Sequence, residues 1–151
     1  MRLYFYIFSL WILLGLTACQ PAETGVLTEK DISQLQKEIT EEQKRWDDNR
    51  TQKKAEIMEH HKIELDNSTT PPSIKASFRF LEIPSTLPDI ETVKKNIEQF
   101  EKPAAIKTLC KTQHPLFQIM RKKNLPIRWA FIGSDDQEIS SFTLSAADCK
   151  N

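Results

Sequence analysis

The N-terminal segment most constrains what this chain can fold into, because it cannot belong to a packed soluble core. A single basic residue, Arg2, precedes an apolar run over residues 3–16. Small residues at 17 and 18 then lead to Cys19. A positive start, an apolar stretch and small residues before a cleavage point are the three parts of a secretory signal. The sequence therefore predicts that residues 1–18 are a signal peptide and that the folded protein begins at Cys19.

Residues 16–19, Leu-Thr-Ala-Cys, resemble the lipobox of bacterial lipoproteins. This resemblance implies that Cys19 carries acyl chains, palmitate among them, on its thiol and its new amino group. Several chains anchor a protein stably, at ~0.8 kcal/mol per buried methylene. Because Gln20 and not Asp follows, the resemblance implies the outer membrane of a Gram-negative bacterium, with the protein on the periplasmic face. An uncleaved anchor stays open, although a spanning helix needs ~20 apolar residues.

Composition limits the size of the domain and the class of partner. Without Arg2 the chain carries 20 basic and 21 acidic residues, so it offers no bulk field for nucleic acid or anionic lipid. The 133 residues after the signal suit one domain. With only three glycines there is no phosphate-cradling loop, and we expect no cofactor. The basic cluster Arg121-Lys122-Lys123 fits a helix C-terminus, where cations suit the helix dipole.

The cysteine count predicts one disulfide. If lipid occupies Cys19, the even pair Cys110 and Cys149 remains, in an oxidising compartment. A bridge between them would close a loop of about 40 residues and stabilise the fold by ~3–4 kcal/mol in the chain-entropy model. A redox or metal pair is the alternative. No C-x-x-C spacing supports it, and only His114 is close in sequence.

The first part of the mature chain is polar. Residues 19–28 are small and polar, as a tether would be. Residues 29–66 are rich in Glu, Lys, Gln and Arg without Gly or Pro, which predicts one long charged helix with Thr28 and Asp31 at its N-cap. Its thin apolar stripe favours an exposed spacer of ~57 Å, with a partner-binding stripe as the alternative. Trp46 on that stripe either anchors a partner or packs back on the domain.

A compact domain is expected over residues 73–149, after the breaker Asn-Ser-Thr-Thr-Pro-Pro. Alternating apolar residues predict three strands, at 74–83, 127–132 and 138–144. Helices are predicted to begin at Asp89, Pro103 and His114-Pro115, and the first should bury Ile90, Val93, Ile97 and Phe100 on one side. The expected fold class is α+β, a small antiparallel sheet of about three strands covered by helices and preceded by the long charged helix.

Candidate chemistry is sparse, and the sequence predicts neither an enzyme nor a metal site. His60 with Glu56 and Glu64 has metal-like spacing on one helix face, but solvated side chains are the favoured interpretation. Asp135 and Asp136, in a hairpin loop, are interpreted as turn residues and not as calcium ligands. There is no G-x-S-x-G and no H-E-x-x-H.

The C-terminal third has a recognisable order of elements. A helix enters Cys110, His114-Pro115 begins a second apolar helix, a hairpin follows, and Cys149 closes the unit. Over residues 104–149 this order resembles the C-terminal half of the beta-type pilotins of type II secretion. The resemblance implies a small acylated outer-membrane lipoprotein that binds a segment of the secretin subunit and brings it to the outer membrane. Two features depart from it: one strand before the helices where pilotins have a pair, and the helix 29–66.

These features together predict an outer-membrane lipoprotein that acts in the periplasm as a protein-binding module or assembly factor. A pilotin-like factor is the specific version of this prediction. An envelope enzyme or enzyme inhibitor, with a pocket between sheet and helices, is one alternative, and a structural spacer is another. The expected partners are the lipid bilayer, through acylated Cys19, and an envelope protein.

Overall fold

A computed structural model describes residues 27–52 and 57–150, and it packs helices against one face of a four-stranded sheet. The predicted signal peptide, Cys19 and most of the tether lie outside the described residues. The helices are α1 (Glu29–Gln52), α2 (Ile90–Asn96), α3 (Lys102–Lys111) and α4 (Pro115–Lys123). The strands are β1 (Met58–Asp66), β2 (Ser73–Phe80), β3 (Ile127–Ile132) and β4 (Glu138–Leu144). A π-helical turn, Ile97–Glu101, joins α2 to α3, and a 3-10 helix, Ala146–Lys150, follows β4.

The sheet is mixed, with strand order β1-β2-β3-β4. Two antiparallel hairpins, β1–β2 and β3–β4, meet at a central parallel pair in which Phe78 lies opposite Phe131. A parallel pair needs a long crossover, and the helices between β2 and β3 provide it. The predicted α+β class is confirmed. The sheet differs from the expected antiparallel one because β1 adds a strand and the central pair is parallel.

The predicted helix over residues 29–66 is wrong beyond Gln52, since residues 58–66 form the edge strand β1. A β-bulge between His60 and Lys62 explains the error. The bulge inserts one residue, so the inward positions of the strand do not alternate strictly along the sequence. Without that alternation, the sequence of residues 58–66 is a charged segment without Gly or Pro, which predicts a helix.

The proposed boundary at residues 67–72 is also wrong, because that segment connects β1 to β2 within one sheet. The compact domain therefore begins with α1. This helix packs against β1 and α4 through Leu35, Ile39 and Trp46, all of them buried. With 24 residues it is ~36 Å long, and it is part of the domain instead of an exposed spacer.

The start of α1 is fixed by the predicted N-cap. The Asp31 amide donates to the Thr28 hydroxyl (3.2 Å), and the Thr28 amide donates to the Asp31 carboxylate (2.9 Å), which is a reciprocal capping box. Lys123, at the end of α4, places its Nζ 3.0 Å from the same carboxylate. The hydrogen bonds from Thr28, with Lys123, lower the pKa of Asp31 to about 2.

The helical stretch after Asp89 contains one widened turn. The Lys102 amide donates to the Ile97 carbonyl, five residues back, directly before Pro103, which has no amide hydrogen to donate. The widened turn rotates Phe100 away from the buried side. Phe100 is 60% exposed whereas Ile97 is 2% exposed, so the prediction that both face inward is wrong for Phe100.

The disulfide expected from the cysteine count is present. It joins Cys110, at the end of α3, to Cys149 in the 3-10 helix, with the Cα atoms 5.3 Å apart. Arg121 of α4 donates to the carbonyls of Leu109 and Thr112, at the same end of α3. The basic cluster at 121–123 therefore completes helix termini, as predicted.

The face of the sheet away from the helices is polar. Arg128 of β3 donates to Glu138 of β4 (2.7 Å), and Arg79 of β2 pairs with Asp136 in the β3–β4 loop. The other face carries the alternating aromatic residues of β2 and β3, and the helices cover it. We call this second face the helical face.

Candidate functional site

A cavity of about 290 Å³ lies on the helical face, between α1, the start of β1 and α3. Six of its thirteen lining residues carry aromatic rings, and they come from five elements: Trp46, His60, Phe78, Phe117, Trp129 and Phe131. The small side chains of Ala104 and Ala105 on α3 also line it. Large rings on the strands opposite small residues on a helix leave the space unfilled.

Four of these rings form a continuous series that we call the aromatic wall. The ring centroids are 4.7 Å apart for Trp46 and His60, and 5.2 Å apart for His60 and Phe78. Phe78 then stacks parallel on Trp129 at 5.1 Å. These separations lie within the range of favourable aromatic pairs. The aromatic wall therefore runs without a break from α1 across β1 and β2 to β3.

The cavity has a charge of one sign. Of the Asp, Glu, Lys and Arg residues in the described part of the chain, those that line it are all glutamates: Glu42, Glu59 and Glu101. Glu59 stands opposite Arg79 in the strand register, so its side chain lies on the polar face, and Glu42 and Glu101 carry the charge of the cavity. The whole sequence has a formal net charge of zero, so this is a local asymmetry. Low-dielectric walls lined by one sign of charge concentrate the opposite charge.

Glu42 organises one side of the cavity. Its Oε1 accepts a hydrogen bond from the Trp46 indole (2.8 Å), while Oε2 lies 3.1 Å from Nε2 of His114 and 3.1 Å from Nη1 of Arg45. Nδ1 of His114 accepts from the Leu116 amide at 3.2 Å, which caps α4. The other ring nitrogen, Nε2, faces the Glu42 carboxylate at ion-pair distance without a hydrogen bond. This network fixes the Trp46 ring and links α1 to α4.

Two groups of the cavity lining make neither a hydrogen bond nor an ion pair within the described residues, whereas Glu42 Oε2, which has no hydrogen bond, has ion partners. Glu101 is half-buried and makes neither an ion pair nor a hydrogen bond through its carboxylate there. The indole nitrogen of Trp129 is buried and has no acceptor in that same part of the chain. A buried unsatisfied donor costs about 1–3 kcal/mol. Of the two groups, the Glu101 carboxylate is the one with surface open to a ligand.

Exposed apolar side chains accompany the cavity. In residues 27–52 and 57–150 the exposed large hydrophobic residues are Ile57 (71%), Leu81 (47%) and Phe100 (60%). Ile57 and Phe100 each precede a cavity residue, Met58 and Glu101 respectively, and the Leu81 amide donates to the Ile57 carbonyl (3.0 Å). We call these three residues the apolar rim. Their positions next to cavity residues along the chain make them candidates for an interaction surface.

The structure brings one predicted site residue, Trp46, to this cavity. Trp46 is 9% exposed and packs back on the domain, which was one of the two interpretations of the sequence. Its partner-binding role therefore stays a prediction. If Trp46 contacts a partner, it does so as part of the cavity wall. Cys19 lies outside the described residues.

The weighed metal triad is not assembled. Glu56 lies outside the described residues, and His60 faces Phe78 on the helical face while Glu64 pairs with Lys75 on the other. The helix-face spacing no longer applies once the segment is a strand. Over residues 27–52 and 57–150, no three His, Cys, Asp or Glu side chains come together in a metal-binding arrangement.

The two loop aspartates do act as turn residues. Asp135 accepts from the Ser85 hydroxyl (2.6 Å) and amide (3.0 Å), and these bonds lower the pKa of its carboxyl. Asp136 has a φ of 62°, a left-handed conformation that Asp tolerates. A Cβ at Gly133 would lie 2.8 Å from the Ser85 amide nitrogen, so this close approach requires glycine.

Comparison with known proteins defines the fold and nothing finer. The sequence matches no family model and no curated protein. One solved structure resembles it, a Pseudomonas aeruginosa protein described as a presumptive secreted protein. The TM-score is 0.55 at 11% identity, over 83% of this chain and 100% of that one. At that identity the likeness shows a shared fold alone. None of the helices in the described ranges has both the length and the apolar character needed to cross a membrane.

Proposed function

We propose that this protein is a lipid-anchored resident of the periplasmic face of the outer membrane and binds another protein of the envelope. The observation that carries the proposal is the aromatic cavity beside the apolar rim. The lipobox-like residues 16–19 support the anchor, and the Cys110–Cys149 disulfide suits an oxidising compartment. Aromatic residues in desolvated pockets are the usual anchors of protein interfaces.

A pilotin-like assembly factor is the specific version of this proposal. The resemblance implied a pair of strands before the helices, and the sequence alone predicted only one. The β1–β2 hairpin supplies that pair, which removes one of the two departures from the pilotin order. The helix α1 is the remaining departure. This version predicts that the partner is a secretin subunit.

Binding is better supported than catalysis. A pocket between sheet and helices is present, as the enzyme alternative requires. However, Glu42 is already engaged by Trp46, His114 and Arg45, which suits a structural network better than a free acid or base. Neither serine nor cysteine lines the cavity among the described residues, so it offers neither of the commonest nucleophiles there.

Site-specific photocrosslinking in intact envelopes tests the proposal. Two variants are made, with a benzophenone amino acid in place of Phe100 or of Ala104. Both variants should give a covalent adduct with the same envelope protein. The matched control is the same substitution at Thr143, which lies on the polar face of the sheet opposite Arg128. Adducts from all three positions, or from none, would count against the cavity as the binding surface.

The anchor is tested separately. Mass spectrometry of protein isolated from the native membrane should show a chain that begins at Cys19 and carries acyl groups. A chain that keeps its initiator methionine or has an unmodified thiol at Cys19 would contradict the lipoprotein part of the proposal. Such a result would not affect the binding role of the cavity, which the crosslinking experiment tests separately.

A further inference from the structure

We propose that the cavity receives one basic side chain, an ammonium or a guanidinium, from a segment of the partner polypeptide. The inference rests on the proposed function and gives the chemistry of the partner at the point of contact. It depends on three properties of the cavity: the sign of its charge, its aromatic wall and its size. Each property can be judged separately.

The carboxylates around the cavity determine which ligands it rejects. Glu42, already paired with Arg45, and Glu101 present carboxylates to it and no Lys or Arg of the described residues lines it, so an anionic group would meet like charge. Glu101 in particular has no ion partner in that part of the chain. A cation beside Glu101 would gain an ion pair in a partly desolvated site, where such pairs are stronger than on an open surface.

The aromatic wall selects a cation over a neutral apolar group. A cation over the face of an aromatic ring, best of all Trp, is attracted by the negative face of the ring, and the attraction is stronger when the cation is desolvated. Trp46 and Trp129 stand at the two ends of the wall, with His60 and Phe78 between them. Arg stacks on such rings and Lys binds as a point charge, so both fit.

Size and surroundings favour a side chain on a polypeptide. The volume of about 290 Å³ lies at the lower limit of the ~300–1,000 Å³ of small-molecule pockets. A single long side chain fits such a space. The apolar rim gives flanking residues of a bound segment a surface to cover. A free small cation would leave that surface uncovered.

Tryptophan fluorescence provides a direct assay on the full chain. The sequence has three tryptophans, and Trp46 and Trp129 both line the cavity. Trp11 is removed with the predicted signal peptide, so in the full mature chain, kept in detergent, all tryptophan emission reports on the cavity. The probes are the acetylated and amidated tripeptides Leu-Arg-Leu, Leu-Lys-Leu and Leu-citrulline-Leu. Citrulline keeps the shape of arginine and removes its charge.

We expect saturable binding of the Arg and Lys peptides and at least tenfold weaker binding of the citrulline peptide. Glu101→Gln should weaken the Arg peptide at least fivefold, whereas Glu91→Gln, on α2 away from the cavity, should leave it unchanged. A further matched pair is Ala104→Lys against Ala104→Gln. The lysine should occupy the cavity itself and abolish binding, and the neutral glutamine should not. Circular dichroism confirms that each variant is folded.

Several results would overturn the inference. Equal affinity for the citrulline and Arg peptides would show that charge is not recognised, and unchanged binding by Glu101→Gln would show that its carboxylate is not the counter-ion. Tetramethylammonium binding as tightly as the Arg peptide would show a small-cation site without a peptide. If the crosslinks still form while the citrulline peptide binds equally, the proposed function stands and only this inference falls.

Discussion

The two hairpins of the sheet are held in different ways. The β3–β4 hairpin is supported by contacts close to it in the fold: the Arg128–Glu138 ion pair across the strands, the Asp135–Ser85 bonds at its turn and the disulfide just after β4. Its support is therefore independent of the N-terminal helix.

The β1–β2 hairpin is held from outside by α1. Gln43 accepts a hydrogen bond from the Ile63 amide (2.8 Å), and its Nε2 lies 3.5 Å from the His61 carbonyl, so its side chain covers the edge of β1 next to the bulge. An uncovered edge strand is a template for unwanted pairing. The cavity takes part of its wall from α1 and β1, so the proposed binding site depends on the hairpin that needs support from α1.

Removal of the disulfide should give the largest effect and should weaken the β3–β4 side. In the double variant Cys110→Ala and Cys149→Ala we expect the free energy of unfolding to fall by ~3–4 kcal/mol, because the unfolded chain regains the entropy of a loop spanning 39 positions. Denaturant unfolding measures this. A loss below ~1 kcal/mol would show that local contacts suffice without the bridge.

Leu35→Ala should be next in size and should act on the other hairpin. Leu35 is fully buried in the α1 contact, so its truncation should cost ~2–5 kcal/mol. If α1 supports β1, hydrogen exchange at the β1 amides should accelerate more than at those of β4. Gln36→Ala, exposed on the same helix, is the control. Equal acceleration in both hairpins would remove the distinction between them.

Gln43→Leu tests the edge cover alone. The change keeps the size of the side chain and leaves the Ile63 amide without its acceptor, at a cost of about 1–3 kcal/mol. The Ile63 amide should lose exchange protection, and the tendency of the protein to associate through β1 should increase. Gln34→Leu adds the same apolar area at an exposed position of α1. If both variants associate equally, apolar area and not the edge is responsible.

Acid should produce the smallest effect, at the start of α1. The pKa of Asp31 falls from 3.8 to about 2 on folding, so its stabilising contribution is present above pH 4 and is lost as the pH falls towards 2. Asp31→Asn should flatten this part of the stability curve, whereas Glu29→Gln in the same turn should not. An unchanged acid slope in Asp31→Asn would mean that other carboxylates dominate it.

The same contrast explains what the sequence could predict. Strands β3 and β4 were predicted with the observed bounds, because their alternation is uninterrupted and a turn signal separates them. The bulge in β1 removed the equivalent signal from that strand. The parallel pairing of β2 with β3 has no local signature, since it depends on where a crossover of several helices returns the chain.

The cavity was only partly predictable. Trp46 stood out as a large aromatic on a polar helix, but Glu42 and Glu101 resemble many other helical glutamates in this sequence. What distinguishes them is how α1 and α3 lie over the sheet, which is a property of packing. A usable signal was the Ala104-Ala105 pair on a helix that covers aromatic strands, because small residues there leave space above large rings.

The central parallel pair has a consequence for how this molecule reaches its native state. Every pair in register from Ile74 with Ile127 to Arg79 with Ile132 joins residues 53 positions apart. Such distant contacts form late and slow folding, and isolated two-stranded ribbons are at best marginal in water. Neither hairpin is therefore expected to be stable before the other has formed. The protein should assemble in one cooperative step that requires all four strands.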